Sequence, residues 1–224
     1  MVHGHQGGAR VGAHGAMSAQ MADHIVGKGW IASAVSQPGY GASTGPPDYC
    51  GPRTQNAITT AYSYLLDNGA EPDQTIVWGV SRGAIATACA FRNYHTDPTL
   101  IILQSGIYSM DAWVKWVENG APGGDKELTQ AIRSNVYSEA GNVPEAFEER
   151  SGINFVQDCL SDVLLVHGKQ DDRAPIAQAA RMREALASSG RRAWLEIETG
   201  AGHFLSRGLA MKSARAFRPE LEIP

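Results

Sequence analysis

No uninterrupted apolar run of about 18 residues occurs in the sequence, so no segment reads as a membrane-spanning helix. Positive charge is not in excess. The 19 Lys+Arg stand against 23 Asp+Glu, and a net charge of −4 removes the electrostatic ground for binding nucleic acid. Cysteine is scarce. Cys50, Cys89 and Cys159 are too few and too scattered for a disulfide framework or a tetrahedral metal site, and reduced thiols are expected. No charged, apolar and cleavable leader opens the chain, which reads as cytoplasmic or as the remnant of something longer. Internal repeats, low-complexity tracts and linkers are also lacking, so one domain over 1–224 is expected. What is there is apolar bulk. At 43% hydrophobic, 224 residues can bury roughly 70–75% of the unfolded surface, which excludes disorder.

Short apolar runs alternate with amphipathic stretches, the pattern of a parallel sheet covered by helices. The expected strands are Trp30–Val35, Thr75–Val80, Leu100–Gln104, Val163–Val166 and Ala193–Ile197, with Met1–Val2 as a stub of a sixth. Helices are expected over Met17–Gly27, Asn56–Asn68, Gly83–Phe91, Pro175–Ser189 and Phe204–Phe217, with Gly69 and Gly190 as stop signals. Residues 107–151 break the rhythm. They carry short helical patterns and no strand, as a helical lid or cap inserted between strands would.

The sharpest motif is Gly79-Val80-Ser81-Arg82-Gly83, a G-x-S-x-G sequence between a buried strand and a helix rich in small residues. A nucleophilic serine needs a strained strand-to-helix turn to stand clear of the sheet, and the flanking glycines allow that close backbone approach. The N–H of Arg82 then faces the same space and can stabilise an oxyanion. Downstream, a strand ends in His167-Gly168 and is followed by Asp171 and Asp172. The last strand runs into Gly200-Ala201-Gly202-His203-Phe204. Ser81, Asp171 and His203 therefore follow the Ser…Asp…His order. Asp172 is the better candidate to cap the next helix. His167 reads as a strand-closing residue that bonds locally, and Tyr40 as a turn residue.

These motifs, with the Pro38-Gly39-Tyr40-Gly41 loop, resemble the α/β-hydrolases, and within them the prolyl-oligopeptidase-like and dienelactone-hydrolase-like branches. The resemblance implies an α/β-hydrolase fold: a mostly parallel sheet with helices on both faces, here shortened at the N-terminus to about five to six strands. It also makes His3-Gly4-His5-Gln6-Gly7-Gly8 the oxyanion loop, with the His5 N–H as second donor and Gln6 as fallback. Resemblance to enzymes that take their acid from the loop after the preceding strand makes Asp111 an alternative to Asp171. Trp30–Val35 would then lie at an exposed edge, and a homo-oligomer covering it is expected.

The function expected on these grounds is a carboxylesterase acting on a small ester through an acyl-enzyme, with neither metal nor organic cofactor. A peptidase or amidase of the prolyl-oligopeptidase-like type is the alternative, and a non-catalytic binding protein on the same fold a further one. His3 and His5 as a metal pair lack further ligands at suitable spacing. In the insertion, Tyr108, Trp113 and Trp116 are candidates for an apolar substrate pocket, or else the buried face of a short helix.

Overall fold

The structure is a computed structural model and describes residues 1–6 and 11–224. Its frame is a parallel sheet of β1 (Ile76–Val80), β2 (Leu100–Gln104), β3 (Asp162–Gly168) and β4 (Ala193–Glu198), in that spatial order. The sequence places these four runs almost to the residue, because each is a short Val/Ile/Leu-rich stretch with few polar interruptions. Their side chains alternate between two cores. Ile101, Leu103, Val163 and Leu165 face one, while Leu100, Ile102, Leu164 and Val166 face the other.

Around the sheet run α1 (Ala19–Val26), α2 (Pro52–Asp67), α3 (Arg82–Cys89), α4 (Met110–Glu118), α5 (Lys126–Ala140), α6 (Pro144–Glu148), α7 (Ile176–Ser188) and α8 (Leu209–Phe217). Ile58 of α2, Ile85 of α3 and Met182 of α7 pack on the first core, and Ala210 and Ala214 of α8 on the second. The helices of 107–151 are α4, α5 and α6, and they extend the first core through Trp113, Val117, Val136 and Phe147. The last helix starts at Leu209, later than Phe204, because Gly208 with φ +81° sets its boundary. Among the described residues, no helix is long and apolar enough to cross a membrane.

The expected strand Trp30–Val35 does not form. Only Val35 makes a bridge, to Val2, and Val2 bridges in turn to Gly79, both in parallel. A strand extends only as far as its ladder. Two hydrogen bonds join this segment to Met1, from Val35 N–H to Met1 O at 3.0 Å and from Met1 N to Ser33 O at 2.6 Å, and they make one bridge and no ladder. Among the described residues the count is thus four strands and two single-residue bridges rather than five or six strands. The stub is nonetheless seated: Val2 N–H donates to Trp78 O at 2.8 Å, and Val80 N–H to Val2 O at 3.2 Å. A cleft of 570 Å³ lies beside it, lined by Met17, Met21, Trp30, Leu65 and Trp78 and by no member of the Ser81–Asp171–His203 set.

The stub is also packed on the turn after β1. A Cβ at Gly83 would sit 2.2 Å from Val2 O and 2.7 Å from His3 O, so neither can be relieved by a side-chain rotation. Gly83→Ala is expected to lower stability by about 1–3 kcal/mol, read as a fall in the urea midpoint at unchanged slope. An unchanged midpoint would mean that the stub does not pack there.

Candidate active site

Parallel strands in register bring their carboxyl ends to one edge, and there the loops meet. Ser81 follows β1 directly with φ +54° and ψ −118°, a conformation that non-glycine residues rarely hold and that strains the turn. Close packing over-determines it. A Cβ at Gly79 would meet Gly83 O at 2.4 Å, so the chain can fold back on itself only where residue 79 is glycine, while Gly83 is required by the approach of Val2 O.

His203, from the loop after β4, reaches Ser81. Its Nε2 lies 2.9 Å from Ser81 Oγ, and its Nδ1 lies 2.9 and 3.0 Å from the two oxygens of Asp171, which follows β3. A carboxylate only accepts, so Nδ1 carries the proton and Nε2 is free to accept from the Ser81 hydroxyl. The histidine is held from behind, where Ser105 Oγ donates to its carbonyl at 3.1 Å. Asp171 is held more firmly still. Its Oδ1 accepts from the N–H groups of Arg173 and Ala174, both at 2.9 Å.

Burial alone would raise the Asp171 carboxyl. Hydrogen bonds from His167 and His203, the charge on His203 and the Ala174 N–H together outweigh burial and hold it well below the usual carboxylate range. His167 bonds locally, through Nε2 to Ala174 O at 2.8 Å, but it also lies 3.3 Å from Asp171 Oδ2. Its buried Nδ1 has no hydrogen-bond partner among the described residues. The rival acids lie elsewhere. Asp111 pairs with Lys115 on the surface at 2.7 Å. Asp172 is half-buried near Arg173, and its side chain does not cap α7.

The first part of the expected oxyanion loop lies against the serine, and its Gly7 and Gly8 fall outside the described residues. A Cβ at Gly4 would come within 3.3 Å of Ser81 Cβ and 3.2 Å of Val80 O, so glycine keeps this approach open. His5 follows it and is exposed. The Gln6 side chain is spent on both backbone groups of Gly12, at 2.7 and 2.8 Å. The His3 ring is fully used: Nδ1 bonds Gly4 O at 2.8 Å and Nε2 accepts from Gln37 N–H at 3.1 Å, which leaves no lone pair for a metal. Burial lowers its pKa; the Gly4 bond opposes this and the nearby Arg82 charge adds to it. Among the described residues no cluster of His, Cys, Asp or Glu could hold a metal ion.

Arg82 does more than its backbone suggests. Its side chain is 1% exposed and pairs with Glu139 of α5 at 2.6 Å, bonds Tyr40 Oη at 2.8 Å, and lies over the Tyr40 and Tyr49 rings. Tyr40 is thereby a buried brace. Tyr108 and Trp113 are not pocket walls: at 1% and 0% exposure they belong to the core. Trp113 spends its indole N–H on Arg173 O at 2.8 Å, tying α4 to the loop of Asp171. Trp116 is half-buried, closing on Gly124. The exposed aromatic beside the site is Phe204, 77% accessible, whose ring meets His203 edge-on at 5.7 Å.

The model of the prolyl oligopeptidase family matches residues 50–220, most of the chain and all four strands of the sheet. The chain belongs to the prolyl oligopeptidase family. Among solved structures it is similar to the acylaminoacyl peptidase of Pyrococcus horikoshii, at 18% identity and a TM-score of 0.60, over 79% of this chain and 28% of that one. It is also similar to a puromycin-hydrolyzing peptidase of Mycobacterium tuberculosis, at 20% identity and a TM-score of 0.61, over 79% and 26%. This chain thus spans roughly a quarter of the length of either, and such likeness shows a shared α/β-hydrolase fold. No curated protein matches the sequence.

Proposed function

We propose that this member of the prolyl oligopeptidase family is a serine hydrolase that opens acyl bonds through an acyl-enzyme on Ser81, and that its substrates are amides or peptides in preference to simple esters. One observation carries the chemistry: the unbroken line from Ser81 Oγ to His203 Nε2, and from His203 Nδ1 to Asp171. Ser81 Oγ attacks the carbonyl carbon while His203 Nε2 takes its proton. Asp171 keeps the imidazole oriented and stabilises its charged form. The N–H groups of Arg82 and His5 receive the developing oxyanion. His203 then gives the proton to the leaving amine, and water, deprotonated by the same nitrogen, releases the acid and restores Ser81.

Family membership and the peptidases of similar fold favour the amide over the carboxylic ester that the sequence first suggests. An enzyme of this kind also cleaves activated esters, since both reactions pass through the same acyl-enzyme. The test is labelling of Ser81 by a fluorophosphonate, followed by parallel assays on aminoacyl anilides and on p-nitrophenyl esters of graded chain length. Labelling with turnover of the anilides is expected. Turnover of esters alone would return the carboxylesterase reading, and a folded protein that neither labels nor turns over would be a binding protein.

A further inference from the structure

Glu139 lies near the end of α5, far in sequence from every motif around Ser81, yet its carboxylate grips the residue next to that serine. Oε2 is 2.6 Å from Arg82 Nη2 and Oε1 is 3.3 Å from Nη1. The same carboxylate accepts the Tyr49 N–H at 3.0 Å. Arg82 hands the order on, its Nε donating to Gln37 Oε1 at 3.1 Å. With its oxygen turned to the guanidinium, the Gln37 amide must present its NH₂ on the other side. There it donates to His3 O at 2.7 Å, while the Gln37 N–H holds the His3 ring and that ring holds Gly4 O. Both carbonyls that precede His5 are therefore fixed.

We infer that Glu139, Arg82 and Gln37 form a relay that positions the oxyanion loop, so that the helical insertion sets the aim of the His5 N–H. The inference rests on the acyl-transfer reading of the site. None of the three side chains touches the reacting atoms, so they are positioning residues. The relay is stiff because it is dry: Gln37 is 0% exposed and Arg82 1%, and in such surroundings each hydrogen bond lost leaves a buried polar group unmatched. A donor off its aim is weak in the transition state while the ground state hardly notices, so the loss falls on kcat.

Gln37→Glu tests the relay. It keeps the side-chain size and the acceptor for Arg82 Nε, and replaces the donor to His3 O by a carboxylate oxygen that repels it, with the added charge facing Arg82. The expected result is a fall in kcat of up to about 10²-fold, with KM within about twofold. Affinity for a trifluoromethyl ketone, which forms a tetrahedral adduct, should fall in parallel, while affinity for the product acid stays level. Glu139→Gln, which weakens the other end, should move the same quantities in the same direction; it carries the test if Gln37→Glu does not fold. All rates are normalised to the phosphonate-labelled fraction. Unchanged kcat in that fraction, or a lowered Tm with ketone affinity intact, would reduce the relay to a structural brace and overturn the inference. An active wild type beside variants of equal kcat would sink the relay alone. An inactive wild type would sink both the relay and the acyl-transfer reading.

Discussion

Ser81→Ala is expected to lower kcat by about 10⁶-fold, and His203→Ala by a similar factor. Without Oγ the imidazole has no hydroxyl to deprotonate; without the imidazole the hydroxyl keeps its proton and attacks as poorly as any alcohol. The 2.9 Å contact makes the two side chains one device, so the double variant should be no slower than either single one. That non-additivity is the sharper half of the prediction. Alanine tolerates φ +54° about as badly as serine does, so Ser81→Ala should keep the wild-type Tm and its loss be purely chemical. Steady-state rates normalised by concentration of folded protein would check it. Turnover above about 1% of wild type in Ser81→Ala, well over the residue left by oxyanion stabilisation and binding, would require another nucleophile.

The second large effect is expected from Asp171→Asn, a loss of about 10⁴-fold in kcat with little change in KM. The N–H groups of Arg173 and Ala174 both point at Oδ1, so the asparagine oxygen goes there and its NH₂ turns toward His203. Nδ1 must then accept instead of donate. The ring proton moves to Nε2 and faces Ser81, where it cannot receive another. The same substitution should change how stability depends on pH. An unfolded aspartate protonates near pH ~4, whereas in the fold Asp171 stays ionised well below that. Its contribution is therefore fully present above about pH 4 and is lost as pH falls further toward the folded value. Urea midpoints of wild type and variant, compared from neutral pH downward, should converge on the acid side. A gap that stays constant would mean that Asp171 is not held ionised by its partners.

Much of this was readable in advance, for a physical reason. Strands such as Leu100–Gln104 are buried on both faces, so burial alone writes them into the sequence as apolar runs. The turn at Ser81 demands glycine before it and the packed stub demands glycine after it, and both demands are visible as Gly79 and Gly83. What failed to show was decided by partners distant in the chain. Trp30–Val35 has the composition of a strand, but composition cannot say that its pairing with Met1 and Val2 amounts to one bridge. Trp113 and Trp116 at helical spacing look the same whether they line a pocket or fill a core, and the bond from Trp113 to Arg173 O settles the first as core. Glu139 resembles any acidic residue late in a helix. Its function depends on where α5 docks, and no local pattern records that. Gln37 is equally silent, since a buried amide is distinguished only by its two neighbours.

The bond between Ser81 and His203 spans 122 positions of chain, and closing so long a loop costs entropy that only the finished sheet can offset. Its carboxylate partner adds a second closure, and the stub that carries His3 slots beside β1 only after β1 exists. The candidate centre therefore depends on strands β1, β3 and β4 all being in place. Where the sheet is incomplete, Ser81 has no imidazole beside it.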